Sequence, residues 1–548
     1  MSSISIRKYP IMTSNTSILS ARRYRCLYAY LHAGVLLAAC MLTGTTALEA
    51  RAQDKVTVFL DSTAQTIRGF GAAYIHFWRP DMTDAEIETA FGTGEGQLGF
   101  SILRLGIDPN PARWGENVRT AKKAYDMGVL IFASPWNAPA DMLKPGPGSD
   151  TVAVDKYDEY AAHLKAFNDY MSANGVELYA ISVQNEPDYA EDWTGWSPEG
   201  MVKFLRENAP SIGTRIIAPE SFQFRRAMSD PILNDSLAAA HTDIIGGHIY
   251  GGGLSSYPLA LEKGKEVWMT EHLTESSHSA NVWSYAMDVG TEMQGVMNAD
   301  MSAYVWWYLV RYYGPIADGE VSASFPNEDY GRKGDVTKKG YVMSQFSRFI
   351  RPGYVRVHTK KLITRGGGFS RVSVTAYRDS TRMVLVATNP AAVPADVELT
   401  LEGGTAARFS RYVTSETQNV ERMDDVEVSG NTFTITLGAG SVTTLVADYA
   451  SNVSAEEAVV PAPHQLSQNY PNPFSGVTTI GYTLPRPGDV RLEVLDLLGR
   501  KVATLAEGGA SAGSHQITFD ASGLAGGVYV YRLTTDQGVQ TRRMMVIR

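Results

Sequence analysis

Ile181-Ser182-Val183-Gln184-Asn185-Glu186-Pro187 reads as a short apolar strand running out into Asn-Glu-Pro. Proline has no N–H for a ladder, so the strand stops there and Glu186 is left at its C-terminal tip. A second stretch, Glu266-Val267-Trp268-Met269-Thr270-Glu271-His272, repeats the design of an apolar strand ending in a carboxylate. Outward from these two, residues 66–352 keep one rhythm: a short β-branched or apolar run, a turn rich in Gly, Pro or Asn, then a helical stretch. Strands are expected at 69–73, 102–107, 129–133, 178–183, 215–218, 244–248, 266–270 and 303–308, with helices such as 154–172 and 198–209 between them. Eight β-then-α units over about 280 residues predict an α/β fold of the closed (β/α)8 TIM-barrel kind. No G-x-G-x-x-G follows the first strand, which disfavours an open dinucleotide-binding sheet.

The two ends read differently from the barrel. Residues 1–52 carry Arg22, Arg23 and Arg25, then an apolar run at 26–42, then Ala-Leu-Glu-Ala-Arg-Ala ending at Ala52, the order of a secretory signal peptide. Leu37-Ala38-Ala39-Cys40 offers a competing lipoprotein cleavage box. Residues 353–449 alternate in strand fashion at 373–377, 383–387, 396–401 and 432–437, which predicts an antiparallel side β-domain. The alternating segment 53–65 is expected to add an N-terminal strand to it. Residues 450–465 read as a linker and 466–548 as a separate immunoglobulin-like β-sandwich.

Composition narrows the function classes. At 548 residues and 44% hydrophobic content the chain suits about three folded units and excludes collagen-like and disordered classes. Without residues 1–52, which hold six Lys/Arg and one Glu, the formal charge falls from −9 to −14, against nucleic acid or anionic lipid as partner. Both cysteines, Cys26 and Cys40, belong to the leader, so no disulfide or thiol chemistry is expected beyond it. Ten histidines show no metal-ligand spacing; no metal and no cofactor are expected. Nine Trp and 28 Tyr suit a sugar-binding cleft, where flat rings stack on pyranose faces.

Barrel enzymes react at the C-terminal ends of their strands, which is where Glu186 and Glu271 fall. Two carboxyls about 5 Å apart there support a double displacement. Glu271 attacks the anomeric carbon, Glu186 protonates the leaving oxygen, and water then releases the sugar. The charge on Glu271 favours the protonated form of Glu186 until Glu271 is esterified. The plainer alternative for either residue is a solvated loop carboxylate or an ion-pair partner.

Further motifs are GFGAA (69–73), ILRLGIDPN (102–110), ASPWNAP (133–139), ISVQNEPDY (181–189), WMTEH (268–272), YVWWYLVRYYGPI (304–316) and KKGYVMSQFSRFIRPGYVRV (338–357). With them the chain, over about 55–449, resembles glycoside hydrolase family 30 and its bacterial glucuronoxylan endo-xylanase branch. The resemblance implies a barrel with the side β-domain fused at both ends, acid/base Glu186 and nucleophile Glu271. It further implies Asn185 on the sugar 2-OH, Trp136 in the floor under the reactive sugar, and Arg104, His248 and Tyr250 orienting the carboxylates. Core packing for Trp136 and a structural polar role for the other three stay open.

The resemblance also places Trp307, Tyr308, Arg311 and Ser276 around a methylglucuronic acid branch, with Arg311 gripping its carboxylate; a salt bridge is the alternative for Arg311. Three departures bear on that grip. Leu273 and Val310 replace a usual Tyr and Arg, and segment 317–335 is longer than the family pattern. The implied activity is a retaining endo-β-1,4-xylanase directed by methylglucuronic acid, acting as a monomer. Alternatives are a related hydrolase of unsubstituted xylan or β-1,6-glucan, or a non-catalytic glycan-binding protein. Residues 466–548, with SQNYPNPF (467–474), LLGRKVATL (497–505) and GGVYVYRL (526–533), resemble the sorting domain of the type IX secretion system. That implies export through the secretion machinery to the medium or the cell surface; a carbohydrate-binding module is the alternative.

Overall fold

The computed structural model describes residues 54–548 apart from 147, 190–192, 363–370, 452–464 and short stretches of the last part (467–468, 470–471, 473, 485–486, 497–499, 512, 536–537 and 548). The expected signal peptide and most of the expected linker lie outside the described residues.

Eight parallel strands close into a barrel: Gly69–Tyr74, Ile102–Ile107, Leu130–Pro135, Ala180–Ser182, Arg215–Ser221, Ile244–His248, Glu266–His272 and Ala303–Trp306, the last pairing with the first. All eight coincide with the expected strands, with ends shifted by up to three residues. The fourth, at three residues, is shorter than expected because the chain turns toward Asn185 and Glu186 as soon as it clears Ser182.

The alternation of side chains along these strands decides which residues meet. Ile102, Phe132, Ala180, Ile217, Ile244, Trp268 and Ala303 form one buried apolar cluster, the plug of the barrel. Two residues further along four of the same strands come Arg104, Ser134, Ser182 and Thr270, all buried and all polar. The barrel therefore changes from oil to polar in one layer, and the carboxylates lie at the polar end.

The side β-domain is a nine-stranded sheet. Its N-terminal strand, Asp54–Thr66, pairs antiparallel with Val355–Leu362 and parallel with Ala395–Glu402, so segments on both sides of the barrel enter one sheet. Val56, Val58 and Leu60 enter its core with Leu399, Leu385 and Phe409. The other face joins the barrel: Val384, Val386 and Val442 belong to the main core, and Gln294 Nε2 donates to the Val386 carbonyl at 2.7 Å. Ala450–Ser451 pairs with Gly404–Thr405, so this unit continues two residues into the segment read as linker. Beyond it a three-stranded and a four-stranded sheet share a core of Ile480, Leu492, Val494, Tyr531 and Leu533.

Trp268 is fully buried in the plug, stacked on Tyr179 at 5.6 Å and edge-on to Phe132 at 5.9 Å. Replacing it with alanine is expected to cost about 3–5 kcal/mol through lost burial and the cavity left behind, read as a lowered denaturation midpoint.

Candidate active site

Arg104, on the second strand, is fully buried among polar groups from three other strands and the turn after the fourth. Its guanidinium hydrogen-bonds Glu271, donates to Asn185 Oδ1 at 2.6 Å and to Ser134 Oγ at 3.2 Å, and lies 3.2 Å from Glu220. Its carbon centre lies 4.7 Å from the Trp136 ring. His248, at the end of the sixth strand, is equally buried, with Nδ1 2.8 Å from Glu186 Oε1 and 3.9 Å from Glu271 Oε1. The Tyr250 hydroxyl donates to Glu271 at 2.9 Å, and Trp193 Nε1 to Glu186 at 3.2 Å. Two hydrogen-bonded sets, Arg104 with Glu271, Asn185 and Tyr250, and His248 with Glu186 and Trp193, thus meet where His248 lies 3.9 Å from Glu271.

Local backbone geometry brings the carboxylates there. Glu186 adopts φ 45° and Glu220 φ 56°, a left-handed conformation costing a non-glycine residue about 1–3 kcal/mol. It is held across strand ends: Glu186 N donates to the Glu220 carbonyl at 3.1 Å and Asn185 N to that of Pro135 at 2.9 Å. Asp188, in the same Asn-Glu-Pro-Asp run, accepts from Ser221 Oγ at 2.8 Å and Phe222 N at 3.0 Å, tying the fourth loop to the fifth. Gly246 leaves room for Glu220, because a Cβ there would meet the Glu220 side chain at 3.1 Å and Ile217 at 2.5 Å.

Burial alone would push Glu220 up, but the Arg104 charge, His248 and Ser182 outweigh it and hold the carboxyl at about 2. Burial would push His248 down; Glu271, Glu186 and Glu220 outweigh it and raise the imidazole to about 9. Two cations therefore face three carboxyls, and the charges cancel when one carboxyl carries a proton. Burial pushes the Tyr250 phenol well above its usual range, reinforced by Glu271, so it donates at any working pH.

Glu186, His248 and Glu271 place three metal-ligand atoms within 4.8 Å of one another, but the arginine and a protonated histidine already supply positive charge there. The donor set fits a proton-transfer and nucleophile pair better than a cation cage.

Other expected site residues fall elsewhere. Trp136 is 3% exposed, with Arg104 near one face, so most of its surface is packed rather than offered to a ligand. The open ring is Trp78, 43% exposed, at 5.3 Å from Trp136, 5.4 Å from Trp307 and 6.2 Å from Trp193. Tyr308 corrects the sequence expectation: its hydroxyl donates to the Ile75 carbonyl at 2.6 Å and accepts from Ile75 N at 2.7 Å, so it pins the first loop and is spent as a ligand contact. Ser276 is exposed on the loop after the seventh strand. Arg311 is ion-paired to Asp318 at 3.0 Å and to Glu320, apart from the carboxylate cluster. Glu220, Trp78 and Trp193 escaped the sequence reading, although Glu220 ends the apolar strand Arg215–Ser221 just as the other two carboxylates end theirs.

The chain is 44% identical over 418 residues to the glucuronoxylanase XynC of Bacillus subtilis strain 168, covering 74% of this chain and 94% of the relative. It superposes on a GH30 endoxylanase from Clostridium papyrosolvens C71 with TM-score 0.63 and 38% identity, over 72% of this chain and all of that one. A glycoside hydrolase family 30 subfamily 8 xylanase from Clostridium acetobutylicum gives TM-score 0.63 at 34% identity, over 72% and 99%.

The chain belongs to glycoside hydrolase family 30.

Residues 468–547 match the family model described as a secretion system C-terminal sorting domain, which marks this family 30 hydrolase for export. The matched region lies within residues 466–548, the segment whose motifs resemble a sorting domain.

Because the folded-state value of His248 lies above its ordinary 6.5, its contribution to stability is complete below that pH and is lost as pH rises through about 9. Glu220 has the opposite sign: its contribution is present above 4.5 and lost as pH falls toward about 2. Denaturant melts of the wild type and His248→Gln should therefore differ most at and just below pH 6.5 and converge as pH passes 9.

Proposed function

We propose that the chain is a retaining endo-β-1,4-xylanase acting on glucuronoxylan, with Glu271 as nucleophile and Glu186 as acid/base. The observation that carries this reading is the separation of the pair, whose oxygens approach within 4.8 Å. Retaining glycosidases hold their carboxyls about 5–5.5 Å apart, whereas inverting ones need about 6.5–9.5 Å to admit a water. Such a close approach supports direct attack by one carboxylate.

The first step forms a bond from Glu271 to the anomeric carbon while the glycosidic C–O bond breaks and the Glu186 proton goes to the leaving oxygen. In the second, Glu186 takes a proton from water, whose oxygen displaces Glu271 and restores the starting configuration. Asn185 is suited to a sugar hydroxyl. Its Oδ1 is taken by Arg104, while its buried Nδ2 has no partner among the described residues, a donor left unpaired at a cost of about 1–3 kcal/mol until a ligand accepts from it. Trp78 and Trp307 offer stacking faces on the open side. The substrate class is supported by the relatives named glucuronoxylanase and xylanase, and by Arg311 as a guanidinium for a methylglucuronate carboxylate. The reading takes the enzyme as a monomer, with the sorting domain as the part that engages the type IX machinery.

Glu186→Gln should lower kcat on xylan by about 10²–10⁴-fold and Glu271→Gln by at least as much, with folding unchanged by circular dichroism. Mass spectrometry of the products should then show glucuronoxylan cut at a fixed distance from each branch. Cleavage of glucuronoxylan at positions unrelated to the branch would remove Arg311 from the account while leaving the hydrolase intact.

A further inference from the structure

Segment 317–335, between the eighth strand and the helix Lys338–Ser347, is closed by Ala317 N donating to the Asp335 carbonyl at 2.9 Å and Gly334 N to that of Ala317 at 2.8 Å. It is fastened to the loop bearing Ser276. Glu328 pairs with His278 Nδ1 at 2.7 Å and accepts from Ser279 N at 2.6 Å, and Phe325 stacks on His278 at 3.6 Å. From this base the segment presents two carboxylates, Asp318 and Glu320, to two guanidiniums. Arg311 donates through Nη1 to Asp318 at 3.0 Å and to Glu320 at 2.5 Å. Arg79 donates to Glu320 at 3.0 Å and pairs with Asp318 through its other nitrogen.

These four groups stand beside the cleft. Arg79 follows Trp78, Arg311 comes four residues after Trp307, and those two rings lie 5.4 Å apart. Two positive and two negative charges already cancel, and a carboxylate is the same ligand for Arg311 whether the protein or a uronic acid supplies it. A third carboxylate entering this set would meet like charge unless one of the first two left. The two differ in freedom: the Asp318 side chain is 9% exposed, whereas that of Glu320 is 54% exposed.

We propose that Glu320, backed by Asp318, is a specificity-determining residue: an internal carboxylate that occupies Arg311, so that a substrate uronate binds only by displacing it. The inference rests on the glucuronoxylan reading of Arg311. Its consequence is a xylanase with a weaker demand for the branch than the guanidinium alone would impose. Glu320 is the arm that moves, and Asp318 stays with Arg79.

The test is the ratio of kcat/KM on glucuronoxylan to that on uronate-free xylan, measured for the full chain, Glu320→Gln, Arg311→Ala and the double variant. Glu320→Gln should raise the ratio about three- to tenfold, the range expected on removing a competing, partly exposed ion pair, and Arg311→Ala should abolish the gain in the double variant. An unchanged or lowered ratio in Glu320→Gln, with Arg311→Ala still lowering it in the wild-type background, would overturn the competition and leave the glucuronoxylan reading standing. A ratio indifferent to all three substitutions would overturn both.

Discussion

A guanidinium with no access to water, placed above the apolar plug of the barrel, is the constraint on which the site is built. Arg104 cannot be buried alone, because an uncompensated charge there would cost more than the fold can supply. Strands five and seven answer it with Glu220 and Glu271, strand three with Ser134, and the turn after strand four with Asn185. His248 from strand six adds the second cation and reaches Glu186. The pair of glutamates is close because each is bound into one network whose centre is fixed by two positive side chains.

The same electrostatics carries through the proposed reaction. Before cleavage, Arg104 and protonated His248 balance two carboxylates while the third holds a proton. After glycosylation Glu271 is an uncharged ester and Glu186 has given its proton to the leaving group, so the sum within the buried site is again zero. Moving the proton off Glu186 and charge off Glu271 together means that no intermediate stage leaves net charge in a poorly solvated space. Glu220, held at about 2, is the constant in this exchange: it stays anionic and keeps Arg104 and His248 in place.

The barrel was legible because its strands are short apolar runs ended by Gly, Pro or Asn, and both catalytic candidates lie where such a run breaks. Asn185, His248 and Tyr250 entered through the resemblance to family 30, which the strand pattern by itself does not supply. What the sequence concealed were relations between distant strand ends. Glu220 carries no motif of its own and gains meaning only from the 3.2 Å to Arg104. Tyr308 has the residue type of a ligand contact, yet the backbone of Ile75 takes both sides of its hydroxyl. Trp136 and Trp78 look alike in sequence, and only packing makes one nearly buried and the other open. Arg311 was identified from a pattern, but its carboxylate partners come from a segment noticed for its length and its place beside the expected uronate pocket, not for its charges.

The account's central claim is that Glu271 attacks the sugar itself, a step that its close approach to Glu186 supports. Proton NMR of a xylan digest followed from the first minutes reads this directly. The account predicts that the newly formed reducing ends appear as the β-anomer, with the α-anomer growing in only by later mutarotation. New ends appearing first as the α-anomer would mean inversion and would contradict it.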